Sequence, residues 1–254
     1  MSTLVELWKR IDLKSPPFIF PGDEKYLSEV NSFRNIVSFE KYVDDINEIK
    51  KAPHKFHLNL LPIPYMGNLE TAKIFILMAN PGLAASDYKA EFQDADYPND
   101  LIKNLHQKAD SDFPYVSINP KYCWHGGFEY WDAKFKDIIG FIQKEYKLSY
   151  VDALSFFSQN VAALELIPYH SKQSNYLPGL ESTKLIKNYV TGVLLPRART
   201  GKILIVVTRN IRAWGLKEEK KIILYGKPGQ ARGASLGKVT KGGKAIMEFL
   251  GNIH

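Results

Sequence analysis

Hydrophobic residues along this chain occur either as short unbroken runs or at helical spacing. Four runs have the length of buried strands, at 74–78, 161–164, 203–207 and 222–225. Between the runs, apolar residues recur three and four positions apart, as over 131–142 and 185–194. Fully apolar strands that alternate with helices are typical of a parallel sheet covered on both faces. The pattern predicts an α/β fold, a three-layer α/β/α sandwich with a central four-stranded parallel sheet.

The first 69 residues have a different pattern. Helical spacing is clearest at 39–46, and prolines at Pro16, Pro17 and Pro21 break the segment. Further prolines among apolar residues make 51–69 an ordered crossing segment rather than a helix. We therefore expect residues 1–69 to form an N-terminal helical lobe and crossing segment packed on the core, and residues 70–254 to form the α/β/α domain.

The first apolar run ends in Asn80-Pro81-Gly82. Ligands of parallel sheets bind at the carboxyl ends of the strands, where glycine lets the backbone come close and asparagine offers both a donor and an acceptor. The alternative is a strand-to-helix turn without chemistry. Both interpretations place these residues at the same edge of the sheet.

Residues 89–130 are rich in aromatic and turn residues, with one predicted helix at 98–109. Phe113, Tyr115 and the aromatic, glycine-containing stretch 122–128 are expected in a long loop. Long loops in compact domains commonly carry function. Aromatic residues that only anchor the loop to the core are the alternative.

The positive charge of the chain is concentrated near its end. The net charge is +7, and residues 202–254 carry eleven Lys or Arg against three Asp or Glu. Such asymmetry indicates a polyanionic partner, most often nucleic acid; solvated lysines on a surface helix are the alternative.

The single cysteine, Cys123, excludes an internal disulfide and a cysteine-based metal cluster. Residues 1–10 include three charges, and no apolar run approaches the ~20 residues that span a bilayer. We expect a soluble cytoplasmic protein that makes no membrane contact.

Four motifs occur in one order along residues 70–251: Asn80-Pro81-Gly82 after the first strand, 159–165 at the second, 205–215 with a Trp-Gly pair at the third, and 226–229 after the fourth. This order resembles the uracil-DNA glycosylase superfamily. The resemblance implies a DNA-binding enzyme that hydrolyses the N-glycosidic bond of a flipped-out base and leaves an abasic site. It implies a monofunctional enzyme, a monomer, and neither cofactor nor metal.

The chain departs from the family at three positions. Glu165 replaces the usual asparagine, Lys227 the histidine and Gly229 the serine. An ionised Glu165 only accepts hydrogen bonds, so its natural partner is an exocyclic amine such as N4 of cytosine. Lys227 still supplies positive charge to the departing base, and Gly229 keeps its backbone donor.

The resemblance also implies roles for individual residues. For hydrolysis, Asn80 would orient the water, Asp87 is the alternative base, and Lys227 would stabilise the departing base. Base contacts are expected from Glu165, from Tyr115 or Phe113 by stacking, and from Tyr169 and His170, although His170 is equally well a hydrogen-bonded histidine at the pocket rim. DNA phosphates would be contacted by Gly226, Pro228, Gly229, Arg232, Arg209 and Arg212.

Glu165 makes a modified cytosine the expected substrate. Ordinary cytosine must be spared, so a substituent, accommodated by 122–128, would mark the target. Such bases occur in foreign DNA, including that of bacterial viruses, which extends the prediction to a role in defence. The alternatives are a uracil or mismatch repair glycosylase, a catalytically inactive DNA-binding module on the same fold, and an unrelated nucleotide-handling α/β enzyme.

Overall fold

The computed structural model describes residues 3–108, 112–226 and 234–252. The strands are β1 (Ser32–Phe33), β2 (Phe56–His57), β3 (Tyr65–Met66), β4 (Ile74–Met78), β5 (Val161–Glu165), β6 (Leu204–Val207) and β7 (Ile222–Leu224). The α-helices are α1 (Thr3–Trp8), α2 (Phe39–Asp44), α3 (Ile46–Lys51), α4 (Ala85–Gln93), α5 (Tyr97–Leu105), α6 (Gly126–Tyr146), α7 (Tyr150–Asn160), α8 (Glu181–Tyr189), α9 (Leu195–Arg199), α10 (Ile211–Trp214) and α11 (Lys241–Leu250). Short 3₁₀ turns lie at Glu24–Tyr26, Val116–Ile118 and Pro120–Tyr122, and a π-type turn at Val190–Leu194 joins α8 to α9.

Five strands form one mostly parallel sheet in the order β3-β5-β4-β6-β7. The four predicted strands β5, β4, β6 and β7 run parallel, with Met78 opposite Glu165 at the carboxyl end of the central pair. The chain passes from β4 to β5 on one side and later to β6 on the other side of β4. Connections therefore diverge at the end of β4, the place where open α/β sheets bind ligands.

The predicted count of four strands is wrong by one. β3 pairs with β5 in the antiparallel direction, and just before it Pro64 O accepts the backbone N–H of Glu165 at 2.9 Å. This short edge strand lies in the segment that the sequence predicts to be a crossing segment. The strand has only two residues and directly follows Pro64. It was not predicted because a proline argues against a strand at its position.

The side chains of the central strand β4 alternate between two hydrophobic clusters, as successive strand residues must. Ile74, Ile76 and Met78 pack in the cluster that includes residues of α6, α7 and α11. Phe75 and Leu77 pack in the cluster that includes residues of α1 and of the helical stretch 181–199. The sheet therefore has helices packed against both faces, which explains why its strands are apolar throughout.

The N-terminal segment shares the second of these clusters. Leu4, Val5 and Trp8 of α1 are buried together with Phe20 and with sheet residues such as Ile205. A second small parallel pair, β1 with β2, joins Ser32 to Phe56. Residues before 70 thus contribute to the core of the sheet as well as to small clusters of their own.

The helix α6 begins earlier than the sequence pattern predicts. Gly126 and Gly127 form its first turn, and His125 is its N-cap, with Nδ1 accepting the Gly127 N–H at 2.9 Å. Two adjacent glycines made this stretch resemble a loop, because glycine disfavours helix interiors but is tolerated in the first turn. None of the described helices is both long enough and apolar enough to cross a membrane.

Candidate active site

A cavity of about 500 Å³ opens at the carboxyl ends of β4, β5 and β6. Its volume is in the range of small-molecule sites. Polar side chains that line it come from several separate segments of the chain: Asn80, Asp87, Ser117, His125, Tyr130, Glu165, His170 and Arg209. The cavity brings together six of the predicted site residues: Asn80, Asp87, Tyr115, Glu165, His170 and Arg209.

Asn80 is held by the loop that follows β5. Its Nδ2 donates to the backbone oxygen of Ser171 at 2.9 Å and to Ser171 Oγ at 3.1 Å. Both contacts use the amide nitrogen, so Oδ1 is left as the acceptor available at the cavity wall. An acceptor held in this way can orient a water molecule, but it cannot take its proton.

Gly82, two residues further, has φ of +80°, which favours glycine over any residue with a side chain. The ring nitrogen Nδ1 of His170 lies 3.1 Å from Gly82 O, a geometry that assigns the proton to Nδ1. Burial lowers the pKa of His170, with the carboxylate of Asp87 opposing that shift. His170 therefore fixes the turn after Asn80 and is a buried, hydrogen-bonded residue of the cavity wall.

Asp87 lies in the first turn of α4, where Oδ2 accepts the backbone N–H of Ala84 at 2.6 Å. Oδ1 lies 3.2 Å from His125 Nε2, and Oδ2 lies 4.0 Å from His170 Nδ1. Although His125 Nε2 lies 3.2 Å from Asp87 Oδ1, it makes no regular hydrogen bond with any described residue. Burial raises the pKa of Asp87, but His125, His170 and the Ala84 N–H outweigh it and hold the pKa below its usual value. Asp87 is thus a buried carboxylate that stays ionised.

Within the described chain, Glu165, the last residue of β5, lacks the hydrogen-bond donors and histidines that surround Asp87. Its side chain is buried, and Oε2 has no hydrogen-bond partner within 3–108, 112–226 and 234–252. Burial raises the pKa of Glu165 to about 8, and the charge of Arg209 opposes this rise. Burial thus favours the neutral acid over the ionised Glu165 expected from the sequence, because the charge of Arg209 offsets only part of the cost of burying a carboxylate. As a neutral acid it can both donate and accept.

Tyr115 is completely buried beside Trp131, with the ring planes at 80° and the centroids 5.4 Å apart. An edge-on contact on a fully buried ring leaves no open face on which a base could stack, so the structure does not support stacking on Tyr115. Its hydroxyl has no partner in the part of the chain that the structure describes. Burial, followed by the charge of Glu165, raises the pKa of Tyr115 well above its usual value. Tyr115 therefore offers a neutral hydroxyl at the cavity.

Arg209 follows β6 and lines the cavity opposite residues of α6. Burial raises the pKa of Tyr130 to about 12; Glu165 adds to this rise, and the charge and hydrogen bond of Arg209 oppose it. Lys134, one helical turn after Tyr130, has its Nζ 4.4 Å from the centre of the Tyr130 ring. Burial and the charge of Arg209 lower the pKa of Lys134 to about 8. Arg209 and Lys134 thus place two basic groups beside Tyr130.

Other predicted site residues lie away from the cavity or outside the described chain. Tyr169 is buried elsewhere and donates to Asp23 Oδ2 at 2.7 Å. Phe113 packs on the hydrophobic core, and Arg212 and Gly226 are exposed. Lys227, Pro228, Gly229 and Arg232 lie outside the described residues.

Among the cavity residues absent from the predicted set are His125, Tyr130 and Trp131. His125 could have been found, since a polar residue directly before a helix is a typical N-cap. The helix start was obscured by Gly126 and Gly127. Tyr130 and Trp131 follow from the same correction, because both lie on the first turns of α6 once the helix begins at Gly126.

Comparison of the chain with protein-family models, with curated proteins and with solved structures finds no match.

Proposed function

We propose that this protein is a DNA glycosylase that hydrolyses the N-glycosidic bond of a flipped-out modified base, most plausibly a modified cytosine. One observation carries the proposal: Asn80, Asp87 and Glu165 converge on a single cavity at the divergence point of the sheet. Base excision needs a positioned water, a negative charge near the sugar, and polar groups that bind the base. These three residue types supply the three requirements in one enclosed place.

The roles follow from the contacts of each side chain. Asn80 Oδ1 holds the water, because Nδ2 is bound to Ser171. Asp87 remains ionised beside it and stabilises the positive charge that develops on the sugar as the bond to the base breaks. Glu165 and Tyr115 would bind the edge of the base through Oε2 and the hydroxyl, neither of which has a hydrogen-bond partner among the described residues. Buried polar groups without partners are costly, so a ligand that satisfies them is the natural explanation.

The neutral form of Glu165 fits cytosine in a specific way. The Watson–Crick edge of cytosine has the acceptor N3 next to the donor N4, and a carboxylic acid can donate to the first while it accepts from the second. The same acid also matches uracil, with donation to O4 and acceptance from N3. Uracil release is therefore the second candidate, favoured by the raised pKa of Glu165. The enzyme would then distinguish the target base from ordinary cytosine by the substituent on the base, and not by the charge of Glu165.

The wider proposals follow the same resemblance. The helices on both faces of the sheet would form the three layers of the α/β/α sandwich, and DNA would lie across the mouth of the cavity beside Arg209. The excess of Lys and Arg in 202–254 supports a polyanionic partner. The protein would act as a monomer in the cytoplasm, in DNA repair or in defence against DNA with modified bases.

The test uses duplexes that carry uracil, cytosine or 5-substituted cytosines, with alkaline cleavage of abasic sites as the readout. We expect release of a 5-substituted cytosine by the wild type. Asn80→Ala should lower the release rate by about 10²-fold or more while DNA binding is kept, since water positioning acts mainly in the transition state. Asn99→Ala, an exposed asparagine on α5, is the matched control. No release from any duplex would refute the function, and full activity of Asn80→Ala would refute the role of Asn80.

A further inference from the structure

The cavity contains two carboxyl groups whose surroundings push them in opposite directions. Asp87 has the Ala84 N–H at 2.6 Å and His125 at 3.2 Å, whereas Glu165 Oε2 has no partner among the described residues. In hydrolytic sites, two carboxyls in such contrasting environments divide the acid and base roles between them. From the sequence alone, Glu165 is expected only to bind the base. The contrast with Asp87 indicates that Glu165 also takes part in the reaction.

We propose, building on the glycosylase function above, that Glu165 is the general acid of the reaction: it enters as a neutral carboxyl and gives its proton to the departing base, while Asp87 remains a carboxylate beside the sugar. Geometry supports this assignment, because Glu165 ends β5 directly opposite Met78 of β4, two residues before Asn80. Glu165, which ends β5, and the water-binding Asn80, which lies two residues beyond the end of β4, are thus at the same edge of the sheet.

The charged and titratable groups around Glu165 are consistent with a neutral carboxyl. Arg209 after β6 is the cation that acts on it, and Tyr115 and Tyr130 are the neutral hydroxyls whose pKa values its charge would raise. Asp87, His125, His170 and Lys172 line other parts of the same cavity. Despite Arg209, burial raises the pKa of Glu165 to about 8, close to the pH at which a general acid is most effective.

The reaction balances without a co-reactant other than water. The bond between C1′ and N1 breaks, and its electron pair goes to the base. The Glu165 proton goes to N3 of cytosine, so the base leaves as a neutral molecule. The water oxygen bonds to C1′ and loses a proton to solvent by way of Asp87, and Glu165 regains a proton from solvent. The net change is the addition of one water across the glycosidic bond.

Acid catalysis resolves a difficulty of the proposed substrate. Cytosine without a proton would have to leave as an anion, which makes it a poor leaving group. Lys227, which the resemblance makes the stabiliser of that anion, lies outside the described residues, and the cation described at Glu165 is Arg209. A proton from Glu165 removes the need for such a stabiliser, because no anion forms.

The experiment compares wild type, Glu165→Gln and Glu91→Gln in the full chain. Glutamine keeps the size and hydrogen-bonding capacity of the side chain but has no acidic proton. Glu91 is the matched control: burial also raises its pKa, and Oε1 also has no partner in the described chain, but it does not line the cavity. The readouts are infrared spectra of the free proteins and single-turnover release of 5-hydroxymethylcytosine and 5-formylcytosine between pH 5 and 9.

We expect a protonated-carboxyl band that is lost in Glu165→Gln, is kept in Glu91→Gln, and titrates near pH 8. The wild-type release rate should fall about tenfold per pH unit above that value. Glu165→Gln should lose about 10²–10⁴-fold on 5-hydroxymethylcytosine. The loss should be smaller on 5-formylcytosine, because its electron-withdrawing group makes the base a better leaving group. Glu91→Gln should release both bases at the wild-type rate.

The outcomes separate the acid role from the function itself. An ionised Glu165 at pH 7 in the infrared spectrum overturns the acid role, whatever the activity. Equal losses on the two bases also overturn it, because a residue that only reads the base would be insensitive to the leaving group. Absence of release by the wild type from every duplex overturns the glycosylase function and the acid role with it.

Discussion

Two buried carboxyl groups in this protein are supported in entirely different ways. Asp23 Oδ1 accepts from the backbone of Glu181 at 2.6 Å and of Ser182 at 3.2 Å, while Oδ2 accepts from Ser182 Oγ at 2.5 Å and from Tyr169 at 2.7 Å. Glu165 Oε2 accepts no hydrogen bond from the described residues. Asp23 replaces an N-cap at α8, where Leu180 has no side chain that can cap.

The difference indicates what each site is for. Burial favours hydrogen bonding, so a group with four partners is accounted for by folding alone. Glu165 lowers stability in its ionised form, and the charge of Arg209 offsets only part of that cost. Under the proposed function, a ligand that binds the carboxyl explains why it is buried in this way. The contrast therefore separates a polar group that stabilises the fold from one that we propose to bind the base.

The largest effect should follow removal of the structural carboxyl. Asp23→Ala leaves Tyr169, Ser182 and the first N–H groups of α8 without an acceptor, so we expect the free energy of unfolding to fall by about 3–5 kcal/mol. Urea unfolding measures it, and base release per folded molecule should be unchanged. The exposed Asp44→Ala should change stability by less than about 0.5 kcal/mol. A small loss in Asp23→Ala would show that the four bonds contribute little.

The next effect is the pH dependence due to Glu165. Its pKa rises from an ordinary 4.5 to about 8 on folding, so between these values the folded state holds a proton that the unfolded chain has lost. Its contribution to stability is complete below pH 4.5 and declines as the pH rises to about 8. Relative to Glu165→Gln, the wild type should lose about 2–3 kcal/mol between pH 6 and 8. Parallel stability curves for the two proteins would mean that Glu165 is ionised throughout.

The smallest effect compares two tyrosines at the two sites. Tyr169→Phe removes the hydrogen bond to Asp23. It also leaves the backbone N–H of Phe20 without its acceptor, the Tyr169 hydroxyl at 3.0 Å. We expect a loss of about 1–2 kcal/mol. Tyr115→Phe should be neutral or slightly stabilising, because its hydroxyl has no described partner to lose. In base release the order should reverse, with only Tyr115→Phe slowed, by about 3- to 10-fold. Equal effects of Tyr169→Phe and Tyr115→Phe on the free energy of unfolding would contradict the distinction between a structural hydroxyl and one that binds a ligand.

The regular part of the fold was predictable because its strands are apolar on both sides. The runs at β4, β5, β6 and β7 are short, unbroken and separated by helices, a pattern typical of parallel α/β sheets. β3 was not predictable, since a strand of two residues has no period. The start of α6 was missed because Gly126 and Gly127 contradict helix propensity, and only the capping by His125 overrides it.

Residues of the cavity could be predicted from the sequence only where they lie at or directly after the end of a strand. Glu165 ends β5 and Asn80 closely follows the end of β4, so their convergence follows from the pairing of these two strands. Asp87 was identified as a residue type but not by its partners, because His125 and His170 reach it from segments far along the chain. The direction of the Glu165 pKa shift could not be read from the sequence, since it depends on the burial of the side chain and on the position of Arg209. Tyr169 is adjacent to His170, yet it turns to Asp23, a contact between residues 146 positions apart.

The packing of α1 has a consequence for synthesis of the chain. Leu4, Val5 and Trp8 share a cluster with Ile205 and Val207, which leave the ribosome some 200 residues later. At about 5–20 residues per second, the first helix waits on the order of 10–40 s for the surface it covers. During that interval its tryptophan and leucine are available to any apolar surface nearby.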